Sequence, residues 1–322
     1  MVIGSPRLYR FGGVSLSAHG RATGRAYFAL RDERVTVIVV TGATGTVGEP
    51  TVESLLARGA NVRAAVRNPS VASVPAGAET VEFDFERPET WGRAFDGATG
   101  LFLLRPPTTT RVSRRLLPAA DAAVRCGVGR VTFLSVLGAE RNPLLPHRRV
   151  ERHLEADDTD AGANATYAFL RASYFMQNLA EVHAPDVRER GELFVPAGDG
   201  ATSLVDARDV GAVAAATLTE PGHADVAYDL TGPEAVTYGA VAAVLSDALG
   251  RPVEYVDPSA WAFARRMRRR GHDWGFVVAM LGIYATARFG LAGRVEPDAS
   301  AVLGRPPRDV ATFAADYADV WR

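Results

Sequence analysis

From Arg34 onward the chain alternates between two hydrophobic periods. Short runs of β-branched and aromatic residues are followed by longer amphipathic stretches. Arg34-Val-Thr-Val-Ile-Val-Val40 is apolar on both alternating faces, the composition of a strand buried within a parallel sheet. Pro50-Thr-Val-Glu-Ser-Leu-Leu-Ala-Arg58 has helical spacing and stops at Gly59. Further strands are predicted over Asn61–Val66, Glu79–Asp84, Gly100–Leu104, Arg130–Ser135 and Thr166–Leu170, with a helix from Arg111 to Cys126. Strands separated by helix-length segments define an α/β fold, here a doubly wound parallel Rossmann sheet. The C-terminal region is expected to be smaller and mixed α/β. The division expected is an extension over 1–34, a dinucleotide-binding domain over 35–170, and a region over 171–322 that completes the sheet and forms a substrate pocket. Ligands of such sheets bind outside the carboxyl ends of the strands.

The first strand runs into Thr41-Gly-Ala-Thr-Gly-Thr-Val-Gly48 and then the first helix. Gly42 permits the tight turn, Gly45 lets backbone approach a pyrophosphate, and Gly48 allows close helix–strand contact. With Thr44, Thr46 and Val47, these glycines form the candidate phosphate loop. An NAD site places an acid at the end of the second strand, for the ribose 2′-hydroxyl. Val62–Ser70 holds no acid but does hold Arg63 and Arg67. Arg67 is placed to grip a 2′-phosphate bidentately, so NADP(H) is expected in preference to NAD(H); a plain surface charge is the alternative. Arg63 is expected to be solvated. Asp84 and Phe85 are candidates for the adenine side, and Leu104 and Arg105 for the cofactor's path past the fourth strand.

Composition narrows the chemistry. All 36 basic side chains are arginine, because the sequence contains no lysine. Schiff-base catalysis, a Walker-type phosphate lysine and a lysine general base are therefore excluded. A net charge of −1 argues against a nucleic-acid or anionic-membrane surface. The apolar run Phe276–Ala287 is too short to span a bilayer. One cysteine, Cys126, allows no internal disulfide, and it is expected to be a small core residue. No metal-ligand cluster is evident. The cytoplasm is the expected setting. Residues 1–34 carry six arginines against Asp32 and Glu33, without periodicity, as in an extension or misassigned start.

Several segments resemble NmrA-like proteins, a branch of the atypical short-chain dehydrogenases: the Thr41–Gly48 loop, Arg171–Leu179, Val205–Asp209, Leu230–Glu234, Leu249–Val253, Gly304–Arg308 and Phe313–Tyr317. The resemblance spans about Val35 to Arg322. It implies either an NAD(P)H-dependent reductase of quinones or dyes, or a redox-sensing regulator that binds the dinucleotide without turnover. An isomerase or lyase on the same fold is a further alternative. It also implies where an ordinary dehydrogenase would carry its Ser and its Tyr-x-x-x-Lys pair. Ser135 matches the serine, while His147 and Glu151 fall on the other two positions. His147 is a candidate proton donor, with Glu151 raising its pKa and fixing its tautomer; a surface i,i+4 pair is the alternative.

A conjugated acceptor would need little acid catalysis, since its reduced form is a stabilised anion. Tyr174, Phe175, Met176 and Asn178 are candidates for the acceptor pocket, with Trp261, Phe263, Trp274 and Tyr284 as a roof; core packing is the alternative for such aromatics. Asp209 is expected to cap the helix that follows it. Arg265–Arg270 is expected to be a solvated helix face. The expected partner is a small-molecule substrate, with a homodimer as a candidate assembly. A large exposed apolar patch would favour the regulator over the enzyme.

Overall fold

The β-branched run does form the central strand, β1 (Val37–Thr41), and every position but Val37 is buried. The structure, a computed structural model, describes residues 36–106, 112–156 and 165–322. The extension expected over 1–34 lies outside the described residues. Seven parallel strands form the main sheet in the order β3-β2-β1-β4-β5-β6-β9. The others are β2 (Asn61–Val66), β3 (Glu79–Glu82), β4 (Gly100–Leu104), β5 (Arg130–Val136), β6 (Thr166–Ala172) and β9 (Val226–Leu230). The order reverses between β1 and β4, and the carboxyl ends there open the crevice in which a doubly wound sheet binds its ligand.

Helices cover both faces. On one side α1 (Gly48–Ala57) packs against α7 (Ala207–Thr219). On the other, α2 (Trp91–Phe95), α3 (Val112–Arg125) and α4 (Pro146–Glu155) cover the second core, with Phe95, Leu116 and Phe133 fully buried. Gly211 lets α1 and α7 meet closely: a Cβ there would lie 2.8 Å from the Pro50 carbonyl carbon.

The chain from Arg171 on does not form a separate block. Thr36–Arg322 is one compact unit, because α7 and β9 return to the sheet. The remaining elements build a third core. They are α5 (Gln177–Glu181), α6 (Ala184–Arg190), β7 (Glu192–Phe194), β8 (Ala201–Thr202), β10 (Val236–Thr237), α8 (Tyr238–Leu249), β11 (Glu254–Val256), α9 (Ala260–Arg269), α10 (Trp274–Arg288), α11 (Asp298–Leu303), α12 (Val310–Asp316) and α13 (Ala318–Trp321). β7 pairs with β11, and β8 with β10, as two small sheets apart from the main one. Among the described residues no helix is long and apolar enough to cross a membrane, and no group of His, Cys, Asp and Glu could hold a metal ion.

Four local expectations change. Asp206, not Asp209, caps α7: its carboxylate accepts from the Arg208 amide at 2.8 Å. Asp209, one turn in and buried, takes Arg305 and Arg308 instead, at 2.6 and 2.5 Å. Those arginines belong to the Gly304–Arg308 segment, so two distant motifs meet as an ion cluster. Cys126 is exposed, because α3 ends at Arg125 and the turn carries it outward. Arg63 is not solvated, since its guanidinium donates to the Ala94 and Asp96 carbonyls at the end of α2. Arg266 and Arg270 likewise leave the solvated face. They converge on buried Asp186 at 2.8 and 2.6 Å, with Arg266 stacked 3.3 Å over the Phe194 ring. A buried carboxylate needs such partners, and here they come from 80 or more residues away.

Candidate functional site: a dinucleotide crevice at the strand ends

The loop after β1 is shaped by its glycines. Gly42 turns at φ +63°, a conformation that favours glycine, and its Cα faces the Leu104 side chain. Leu104 is pinned in turn by its amide, which donates to the Thr41 hydroxyl at 3.1 Å. A Cβ on Gly48 would lie 1.9 Å from the Gly42 carbonyl oxygen, so only glycine fits. The Gly45 amide closes the turn onto the Gly42 carbonyl at 2.9 Å. Thr44, Gly45 and Thr46 are exposed, whereas Val47 is buried and anchors the loop in the core. No side chain caps α1 at Val47. The uncapped amides and the helix dipole thus face the crevice, an arrangement that suits a pyrophosphate. Thr46 donates to Glu181 at 3.0 Å and so links the loop to the end of α5.

Arg67 follows β2 directly and is exposed, with no hydrogen bond or ion pair among the described residues. Its position is the one directly after the second strand of a doubly wound sheet. At the end of β3, Phe85 is packed in the core beside Phe83, ring centroids 4.8 Å apart. Asp84 caps the turn there by accepting from the Glu86 amide at 2.8 Å. What Phe85 offers an adenine is therefore a fixed wall, not a mobile stacking ring.

The positions matched to Ser, Tyr and Lys come together differently from expectation. Glu151 is fully buried. Ser135 donates to it at 2.7 Å, Arg171 grips both its oxygens at 3.0 Å, and Arg148 adds a contact at 3.0 Å. Burial alone would push this carboxyl up. The bonds from Arg171 and Ser135, with Arg148, outweigh that and hold it below the usual range. None of these contacts is to His147. The imidazole Nε2 accepts from the Arg105 side chain at 3.3 Å, and Nδ1 is buried without a partner. Burial, then the Arg105 charge, lowers its pKa to about 4, against a weaker pull from Glu151. His147 is thus neutral at pH 7, and Glu151 neither charges it nor fixes its tautomer.

Sequence reasoning missed Arg171 as the partner of Glu151. It lies opposite Ser135 in the β5–β6 register, and β6 runs two residues past its expected end. The network continues to Glu140, Asp229 and Arg294, all at the carboxyl edge of β5, β6 and β9. Arg294 approaches Asp229 at 2.6 Å, yet burial holds the Asp229 carboxyl above its ordinary value.

The acceptor-pocket candidates divide. Tyr174 and Phe175 follow β6 and are half-buried, and Phe175 bridges to Val205. The Asn178 side chain donates to the Phe175 carbonyl at 3.1 Å. Met176 is a core residue, 1% exposed. Trp261 and Trp274 roof no slot, because they are 70% and 53% exposed on α9 and α10. The side chain that does reach inward from α10 is Tyr284. Its hydroxyl bonds that of Tyr174 at 2.6 Å and the imidazole of His183. Burial raises both tyrosines well above their ordinary value and lowers His183 to about 3.

A doubly wound sheet with a glycine-shaped turn and an uncapped helix N-terminus at its switch point defines a dinucleotide-binding protein. The sequence profile of the NmrA-like family matches residues 34–267, and the chain belongs to that family. Among its relatives is the NAD(P)H azoreductase of Xenophilus azovorans, 34% identical over 286 residues, covering 88% of this chain and 98% of that protein. Quinone oxidoreductase 2 of Escherichia coli is 29% identical over 239 residues, 73% of this chain and 82% of that one. The crystal structure of the Escherichia coli NADPH-dependent quinone oxidoreductase superposes with a TM-score of 0.73 at 28% identity, over 87% of this chain and 99% of that one. A Citrobacter triphenylmethane reductase complexed with NADP(H) shares the fold, with a TM-score of 0.75 at 24% identity over 88% and 99% of the chains.

Proposed function

We propose that this protein is an NADPH-dependent reductase that transfers a hydride to a quinone-like or other conjugated acceptor, azo compounds included. The observation that carries the reading is the Gly42–Gly48 turn, where Gly48 approaches the Gly42 carbonyl so closely that no Cβ fits between them. Similarity to the azoreductase over 98% of that protein's length supports the acceptor class. When bound, the nicotinamide supplies the hydride.

The chain's own residues do the rest. The amides at the start of α1 hold the pyrophosphate, and Arg67 takes the 2′-phosphate, which gives the preference for NADPH over NADH. Leu104 and Arg105 border the dinucleotide's path, where Arg105 also fixes His147. The Ser135–Glu151–Arg171 cluster braces the ends of β5 and β6, against which the nicotinamide would lie. Tyr174, Phe175 and Asn178 border the acceptor. His147 is neutral at pH 7, and the guanidiniums of Arg105 and Arg171 do not release their protons at neutral pH. Reduction is therefore confined to acceptors whose product anion is stable enough to take its proton from solvent.

One observation favours a second reading, a redox-sensing module that binds the dinucleotide and a partner protein: α9 and α10 expose a broad apolar face. Oxidation of NADPH followed against a panel of quinones, azo dyes and enones separates the two. Turnover with at least one acceptor is expected. Tight NADPH binding with no turnover on any member would replace the reductase with the sensor.

A further inference from the structure

Ten large apolar side chains are exposed among the described residues, and six of them fall between Trp261 and Leu291. Their centre is α10. From Trp274 to Ala287 this helix carries no charged residue. Its inner stripe, Val277, Met280, Tyr284 and Ala287, is buried. Its outer arc presents Trp274, Val278 and Ile283, 53%, 63% and 41% exposed, and Phe289 just beyond is 74% exposed. A helix on a solvated surface is expected to be polar on that side.

We propose that this face is the two-fold interface of a homodimer, with α10 packed antiparallel on α10 of a second copy. Three features select this occupant. First, area: the six side chains expose on the order of 700–800 Å² of apolar surface, close to what each partner contributes to a stable interface and above the largest patch of a typical monomer. Second, shape: Gly275, Ala279 and Gly282 lie on the outer arc at helical spacing and let two backbones approach. A groove of about 700 Å³ between Pro258, Ala260, Val278 and Leu281 flanks them, a recess for an aromatic side chain of the second copy. Third, charge: the amino end is net positive, Arg268 and Arg269 against Asp273, and the carboxyl end net negative, Asp199 and Asp257 against Arg288. At the amino end Arg268 stacks over Trp274, with Arg269 beside it, and neither meets a carboxylate among the described residues. At the carboxyl end Asp199 is exposed beside Arg288 and Gly290, without an ion pair among the described residues. A two-fold axis across the middle of α10 sets each arginine end over the other copy's Asp199.

The proposal does not rest on the reductase reading, and its test needs no turnover. Sedimentation equilibrium of the full chain at about 1–100 µM should give a two-chain mass, as expected for a standard-size interface. Val278→Glu and Ile283→Glu change exposed positions and should give single-chain masses with NADPH affinity unaltered, which shows that the fold survives. In a Cys126→Ser background, Ala279→Cys should form an intermolecular disulfide on mild oxidation, since this residue lies at the centre of the small-residue stripe. A single-chain wild-type mass at the top concentration overturns the proposal, as does a dimer that persists in both glutamate variants. Single chains that float with phosphatidylglycerol vesicles overturn it too, and would assign the face to a membrane.

Discussion

Two turns leave the carboxyl edge of the same sheet and solve different problems. After β1, backbone makes the site. Glycines remove side chains so that amides of the Gly42–Gly48 loop can meet a phosphate, and a carbon added at Gly48 collides with the Gly42 carbonyl. After β5, side chains fill the space. Ser135, Glu151, Arg171 and Arg148 form a buried cluster that leaves no proton for chemistry. The first turn is built to receive a ligand. The second is built to stand still, held by ionic bonds to a buried carboxylate.

If the contrast holds, Gly48→Ala has the largest effect. It should weaken NADPH binding by roughly a thousandfold, about 4 kcal/mol, measured by calorimetric titration; retained affinity would mean that the close approach to Gly42 is not needed. Glu151→Gln comes next. It leaves Arg171 and Arg148 facing an amide and should cost about 3 kcal/mol in urea unfolding. NADPH affinity should change by less than about threefold if the two turns act separately, within the coupling error of independent sites.

A smaller effect follows from His147, whose folded pKa of about 4 lies below the ordinary histidine value. The unfolded chain therefore binds the extra proton first, so stability is full above pH 6.5 and falls as pH drops from there toward 4. His147→Gln should remove roughly 2 kcal/mol of that loss between pH 7 and 4.5. An unchanged slope would show that the imidazole is not held neutral. His183, lowered to about 3, steepens the same limb. The mildest change is Arg67→Ala, which should cut the preference for NADPH over NADH by about tenfold, or 1.4 kcal/mol, with NADH kinetics nearly constant.

The same contrast explains what the sequence made legible. The phosphate loop could be read because its rule is local: glycine spacing, a strand before, a helix after. β2 and β4 matched residue for residue for a similar reason. The charged cluster could not be read, because Arg171 meets Glu151 across twenty residues of chain and only through the β5–β6 register. Asp186 draws its partners from still farther away. The cap of α7 was off by three residues because two aspartates of equal capping propensity lie one turn apart. Arg305 and Arg308, which claim Asp209, sit about a hundred residues downstream. The indoles of α9 and α10 looked like pocket aromatics, since helical spacing does not say which side of a helix faces the crevice.

The choice of guanidinium for every cation carries a consequence at the alkaline end of the pH scale. Ammonium groups lose their charge near pH 10.4, and ion pairs built on them dissolve there. The pairs that hold Glu151, Asp186, Asp206 and Asp209 are all made by arginine. They keep their charge beyond pH 12. The phenols act the other way: desolvation raises Tyr174 and Tyr284, and Tyr255 is pushed up to about 12, so the unfolded chain gives up these protons first and stability falls as pH rises above about 10. Base therefore leaves the arginine ion clusters charged and attacks the fold through its enclosed phenols instead.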